Sequence, residues 1–342
     1  MIQFNSIPEY PGQLHFEINT KCNLACGFCP VHKAPRGTPL TPDEWLGVIK
    51  SVQPWAGHVG YVDLVNYDEP LLDKNCWLYA SAINHLWGFG KLGWVSNGTV
   101  MTDDIAARLI GLQLKQMVFS VDAFTAETYA RVRPLADGRQ DLSLRDRVYA
   151  NVEAYIAFLT RIGSHALPVI QMTVCDINAH EVDAFRRHWE SRPVACVEVL
   201  NCTGRGGERS WSAPNDTPCR VILDGLWVLS DGRVVACCED WAGESVIGDV
   251  REESLSRIWR GRRIEEFRKA HFETRKRSIA VCAHCKTSQD VPDHNRFPAN
   301  TNKAVLAEWL TARMAEKPAP VTMPSSVIGP EPYPQDLPPC DA

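Results

Sequence analysis

No run of apolar residues in the 342-residue chain approaches the roughly 18 to 20 that a membrane-spanning helix requires. The opening segment MIQFNSIPEY lacks a basic stretch followed by an apolar one, so no secretory signal is expected and a cytoplasmic location is. An excess of positive charge is also missing. The formal net charge is -5, which provides no overall field to hold nucleic acid. Hydrophobic residues at 45% and charged residues at 23% exclude a mainly disordered or collagen-like chain. What the chain has in quantity is cysteine. Thirteen are many for a cytoplasmic protein, where clustered thiols more often bind metal or carry out redox chemistry than form disulfides.

From about residue 13 to 205, short apolar runs alternate with longer amphipathic segments, the pattern of strand and helix units wound around a parallel sheet. Strands are expected at 14–19, 61–66, 92–96, 116–122, 168–174 and 195–200, and helices near 41–53, 75–88, 102–112, 125–132, 142–162 and 179–190. Thr41-Pro42-Asp43-Glu44 places a capping hydroxyl, a first-turn proline and two acids at a helix start. The stretch GRGGERSWSAPNDTP reads as a linker, and a second unit begins near Cys219. In that unit Asp231-Gly232 is the turn of a hairpin over 226–237, and a charge-rich helix is expected over 254–270. Its basic residues alternate with glutamates, as on a solvated face. The resulting division is an N-terminal segment 1–12, a first domain 13–205, a second 206–290, a helix within 291–316 and a proline-rich, disordered tail 317–342.

Directly after the first strand comes Cys22-Asn23-Leu24-Ala25-Cys26-Gly27-Phe28-Cys29. Three thiolates on one loop can converge on a polynuclear iron-sulfur cluster and leave one iron open, as a reactive site requires. The CxxxCxxC spacing, with an aromatic before the last cysteine, resembles the signature of the radical S-adenosylmethionine (SAM) superfamily. The resemblance implies that Cys22, Cys26 and Cys29 hold a 4Fe-4S cluster whose open iron chelates SAM, and that Phe28 lies against the adenine. Asn66-Tyr67-Asp68-Glu69-Pro70 is similar to the family's glycine-rich segment ending in Glu-Pro, with Asp68 where glycine is usual; Tyr67, Asp68 and Glu69 would then meet the SAM amino group. Ser96-Asn97-Gly98 and Ser120-Val121-Asp122 resemble the family's segments near the ribose and methionine, which assigns Ser96, Asn97, Ser120 and Asp122 to cofactor binding. Arg131 and Arg133 could reach a carboxylate or diphosphate from the barrel mouth or form a solvated helix end.

Cys219, Cys237, Cys238, Cys282 and Cys285 form a second set, whose spacing suits zinc and an iron-sulfur cluster equally. Its context resembles the SPASM and shorter twitch domains attached to radical SAM barrels, and Ile247-Gly248-Asp249 resembles that module's connecting segment. The resemblance implies a second, auxiliary 4Fe-4S cluster on Cys219, Cys237, Cys282 and Cys285, with Cys238 able to replace Cys237. Cys76, Cys175, Cys196 and Cys202 read as small buried residues, although Cys175 and Cys238 are the candidates for a catalytic thiol that donates hydrogen.

The implied fold is α/β: a partial (β/α)6 TIM-like barrel of the radical SAM type, followed by a small cysteine-rich α+β SPASM/twitch domain. The implied activity is that of an oxidoreductase in which a 5'-deoxyadenosyl radical abstracts hydrogen from a small molecule, such as an aminocyclitol or sugar alcohol, and the auxiliary cluster accepts an electron. A reducing partner such as flavodoxin or ferredoxin is implied, with no nucleic-acid or membrane partner. The alternatives are an epimerase with a cysteine hydrogen donor, an enzyme modifying a short peptide, and a non-catalytic zinc-stabilised binding protein.

Overall fold

Alternation of apolar and polar side chains along short strands, with helices between them, produces a first unit of six strands and six helices among the described residues. In the computed structural model the described residues are 8–162, 168–202, 219, 221–283 and 285. The elements are β1 (Gln13–Phe16), α1 (Pro42–Ser51), β2 (Tyr61–Asp63), α2 (Cys76–Trp87), β3 (Gly93–Ser96), α3 (Asp103–Gly111), β4 (Gln116–Ser120), α4 (Ala126–Val132), α5 (Leu144–Ile162), β5 (Pro168–Val174), α6 (Val182–Glu190) and β6 (Cys196–Asn201). All six expected strands form. Thr41, Thr102 and Thr125 cap α1, α3 and α4 through their hydroxyls, and Glu44 closes a capping box on Thr41.

Strands β1 and β2 pair in parallel, as do β3 through β6, and a parallel bridge between Val62 and Leu92 joins the two groups. One face carries Leu14, Phe16, Val62, Met117, Phe119, Ile170 and Met172 against helix residues such as Trp45, Ile83, Leu109 and Tyr155. The opposite face is the barrel lumen, where Val118, Val169 and Ala195 meet and where His15 stacks on Trp227 at 4.5 Å. Period-two alternation therefore sends the polar strand residues inward, toward the site.

The second unit consists of α7 (Val221–Asp224), β7 (Gly225–Val228), β8 (Arg233–Val235), β9 (Val246–Asp249), α8 (Leu255–Trp259), α9 (Arg262–Phe272) and α10 (Ala280–Ala283). The hairpin forms, with Gly232 at φ 91° in its turn. Two features differ from expectation. The segment Ile247-Gly248-Asp249 is a third strand on β8 rather than a connection. The expected helix over 254–270 is two helices, because the chain turns extended at Gly261 (φ -78°, ψ 160°), where a Cβ would lie 2.8 Å from the carbonyl oxygen of Arg257. The break lets Arg268 fold back over the Trp259 ring at 4.1 Å and donate to the Trp259 carbonyl at 3.0 Å.

Strand β7 pairs in parallel with β1, so a single sheet of order β2-β1-β7-β8-β9 runs through both units. The chain after the first cysteine loop is strapped to the hairpin: Gly37 N donates to Asp231 Oδ2 at 2.8 Å, Leu40 N to the Ser230 carbonyl at 2.7 Å, and Arg36 to the Trp241 carbonyl at 2.7 Å. The helix expected within 291–316, the tail 317–342 and the linker 203–218 lie outside the described residues. Among the described residues no helix is long and apolar enough to cross a membrane.

Candidate active site and second cysteine set

The loop leaving β1 is held from the far side by the segment that follows α4. Ala25 N donates to the Pro134 carbonyl at 2.8 Å, Gly27 N to Val132 at 3.3 Å and Ala136 N to Asn23 at 3.0 Å, with an antiparallel bridge between Leu24 and Leu135. Cys22, Cys26 and Cys29 are free and half-buried, and Phe28 is half-buried among them. Burial pushes the Cys22 thiol up to about 11 and the Cys26 thiol up to about 12, while the Arg133 guanidinium favours the Cys26 thiolate. Iron binding would reverse that burial effect by supplying positive charge to the sulfur.

The ends of β2 and β3 close on this loop. Glu69 is 1% exposed and accepts from Ser96 Oγ at 2.9 Å and Asn97 N at 2.7 Å. Asn97 donates from Nδ2 to Asn23 Oδ1 at 2.9 Å and lies 3.8 Å from Cys22 Sγ. Asp68, at the unusual position, folds its carboxylate back onto Asn19 Nδ2 (2.9 Å) and Asn66 N (3.0 Å). Burial, and then the Glu17 charge, hold Asp68 well above the usual carboxylate range. Tyr67 is buried beside the ion pair of Arg36 Nε and Glu17 Oε1 (2.6 Å).

Burial also raises Glu69, to about 7 from an ordinary 4.5. A carboxyl raised in the folded state favours folding below its unfolded value, and the advantage is lost as pH rises toward the folded value. Wild type should therefore lose stability relative to Glu69→Gln by roughly 3 kcal/mol between pH 4.5 and 7, an order-of-magnitude conversion. Urea unfolding of both chains, free of iron, across that range checks it; parallel pH profiles would refute it. Comparing the two chains cancels the opposite slope of buried histidines.

At the end of β4, Asp122 adopts φ 64°, which turns its carboxylate toward Arg133 Nε (2.7 Å) and Thr173 N (2.6 Å), while Asn178 Nδ2 donates to its carbonyl at 2.7 Å. Arg133, not committed to a role by sequence, is 4% exposed and links Asp122 to the Cys26 loop, whereas Arg131 is exposed. Ser120 sits deeper in the lumen and donates to Gln171 at 3.4 Å; Gln171 Nε2 donates to Glu198 at 3.2 Å. His15 Nδ1 lies 3.0 Å from both Asp63 oxygens, and its buried Nε2 has no partner among the described atoms. Cys175 follows β5, its backbone N donating to Asn178 Oδ1 at 2.7 Å.

The second set gathers on the far side of β7. Cys219 lies in the electrostatic reach of Cys285 and Cys238, and Cys282 in that of Cys285 and Cys219. Burial pushes Cys219 up to about 11 and Cys282 up to about 12, and Cys237 is held well above the usual range first by its contact with Cys238 and then by burial. Cys238 packs against Trp227, Leu229 and Val235, and Glu239 N donates to Cys237 Sγ at 3.3 Å. His271, which neither motif contains, has Nδ1 3.0 Å from Cys219 N and Nε2 3.5 Å from Cys282 Sγ. Burial lowers it to about 4. Among the described residues no three His, Cys, Asp or Glu side chains close on one ion-sized point. An all-thiol donor set of this kind suits a polynuclear cluster, in which each iron takes its own cysteine.

The family model of the radical SAM superfamily matches residues 16–185, and that of an iron-sulfur cluster-binding domain, SPASM, matches residues 219–286. The chain is similar to the S-adenosyl-L-methionine-dependent 2-deoxy-scyllo-inosamine dehydrogenase of Niallia circulans, at 19% identity over 274 residues, 80% of this chain and 91% of that protein. It is also similar to a GTP 3',8-cyclase of Synechococcus sp. (strain CC9902), at 31% identity over 147 residues, spanning 42% of this chain and only 41% of the cyclase's length. Among solved structures, BtrN in complex with AdoMet and 2-DOIA shares the fold, with a TM-score of 0.55 and 18% identity over 81% of this chain and 94% of that one.

Proposed function

Because the chain belongs to the radical SAM superfamily and carries a SPASM iron-sulfur domain, we propose that it is an oxidoreductase that dehydrogenates a small hydroxyl-bearing molecule, of the aminocyclitol or sugar-alcohol class. The observation that carries this reading is the attachment of the second cysteine set to the barrel sheet itself, through β7 on β1. An auxiliary cluster held there would lie at a fixed separation from the barrel mouth, as an electron acceptor must. The Niallia circulans dehydrogenase, matched over 91% of its length, supports the same class.

Cys22, Cys26 and Cys29 would hold the SAM-binding cluster, and Cys219, Cys282, Cys285 and either Cys237 or Cys238 the auxiliary one. When bound, these groups supply a hydrogen-abstracting 5'-deoxyadenosyl radical and an electron acceptor. The protein's own part is to orient and to exclude water. Glu69, fixed by Ser96 and Asn97, would present an acceptor to the SAM amino group. Phe28 would cover the adenine, and Asp122, its carboxylate taken up by Arg133 and Thr173 N, would support the cofactor site through Arg133, with Ser120 two residues before it in the chain. Asp63 orients His15 so that its free Nε2 can hold the proton released when a hydroxyl becomes a carbonyl.

Anaerobic reconstitution should yield about eight irons and eight sulfides per chain, the content of two tetranuclear clusters. A screen of aminocyclitols and sugar alcohols should then give 5'-deoxyadenosine and a ketone in equal amounts, with His15→Gln releasing 5'-deoxyadenosine but little ketone. An inverted centre without net oxidation would replace this reading with epimerisation, and zinc alone would end it.

A further inference from the structure

His271 on α9 is 1% exposed and touches two residues of the second cysteine set that lie 63 positions apart in the chain, Cys219 and Cys282. The direction of the two contacts follows from chemistry. A backbone amide only donates, so the Cys219 N–H at 3.0 Å makes His271 Nδ1 an acceptor and leaves the ring hydrogen on Nε2. Nε2 lies 3.5 Å from Cys282 Sγ, within range of an N–H to sulfur bond. A cluster-bound cysteine has no hydrogen of its own, so the bond has one polarity: imidazole donates, sulfur accepts.

Building on the assignment of Cys219 and Cys282 as auxiliary-cluster ligands, we propose that His271 is a positioning residue of that cluster, holding the Cys219 backbone through Nδ1 and raising the cluster's reduction potential through an Nε2–H bond to the Cys282 sulfur. Reduction adds negative charge that is shared by the thiolates. A donor aimed at one of them stabilises the reduced state more than the oxidised one, and a buried site screens this little. The Cys237 sulfur already accepts from a backbone donor, Glu239 N at 3.3 Å, which side-chain replacement leaves in place. His271 is therefore the donor a substitution can remove. It makes the auxiliary cluster a readier acceptor for the electron left on the substrate.

The test uses the full chain, reconstituted anaerobically, as wild type, His271→Phe and His271→Gln. Iron content and an EPR-monitored redox titration are measured for each. Phenylalanine should leave about eight irons and shift the auxiliary couple about tenfold toward the oxidised form, equivalent to about 59 mV for one electron. Glutamine, which retains an N–H donor, should restore most of the shift, and the potential of the SAM-binding cluster should not move. An unchanged auxiliary potential in a fully loaded His271→Phe chain overturns the proposal. So does loss of about half the iron from both variants, which would make His271 a ligand. If only the phenylalanine variant fails to load, wild type grown with 15N-histidine decides. Weak nitrogen coupling to the reduced auxiliary cluster supports the donor role, and its absence overturns it. Wild type that binds only about four irons would instead refute the ligand assignment beneath the proposal.

Discussion

Cys26→Ala is expected to abolish 5'-deoxyadenosine release while leaving a folded chain that still binds about four irons. The loss should be complete because each iron that anchors the SAM-binding cluster depends on one thiolate, and the only other described cysteines on the loop, Cys22 and Cys29, are already assigned to the cluster. The fold should survive, because the loop is fixed by backbone bonds from Ala25 to Pro134 and Gly27 to Val132, none of which uses the sulfur. Removing a half-buried thiol whose ionisation burial already opposes costs the iron-free chain little. Cys76→Ala is the matched control. That thiol is wholly buried in α2, outside the loop, so the variant should keep its full iron and its activity while losing some packing energy. Iron and sulfide analysis with a 5'-deoxyadenosine assay separates the two. Residual 5'-deoxyadenosine release by Cys26→Ala would remove this cysteine from the site.

Arg133→Met should destabilise the protein by about 3–5 kcal/mol, the usual result of stripping one partner from a buried ion pair. Both groups are nearly inaccessible, Asp122 at 0% and Arg133 at 4% exposed, so the remaining carboxylate would keep only its bond from Thr173 N. Much of that loss should return in Asp122→Asn/Arg133→Met, because asparagine tolerates the left-handed backbone at φ 64° and carries no charge to strand. Denaturant midpoints of the three chains check this. Equal destabilisation in the single and double variants would show that Arg133 acts by packing and not by charge. Because Arg133 also favours the Cys26 thiolate, the single variant should in addition assemble its first cluster more slowly during reconstitution.

The strand and helix framework was legible because its signals are local. Period-two alternation marks the strands, and Thr41, Thr102 and Thr125 announce helix starts that the backbone then adopts. The two cysteine sets were legible because their spacing is itself the chemistry. What escaped depends on pairings between distant segments. Nothing near Leu226 indicates that it will lie beside Leu14, and nothing near His271 indicates Cys219 or Cys282. Nothing near Arg36 indicates Glu17, with which folding pairs it. Arg133 had two readings of equal standing, a ligand contact at the barrel mouth and a solvated helix end, and folding gives it a third setting, a buried ion pair with Asp122 at its left-handed turn. The break at Gly261 carried a local sign, the glycine, but the helix-favouring residues on either side outweighed it.

Strand β1 has a neighbour on each side, β2 and β7, and contributes Leu14 and Phe16, both at 0% exposure, to the core. A chain cut near residue 205 would lose β7 and turn β1 into an open edge, with a row of unsatisfied amides and carbonyls beside an apolar face. Such an edge is a template for pairing with other copies, so the barrel expressed alone should aggregate, and attempts to study radical chemistry on a minimal fragment should fail for reasons unrelated to iron. The segment with the second cysteine set thus also acts as the barrel's protective closing strand.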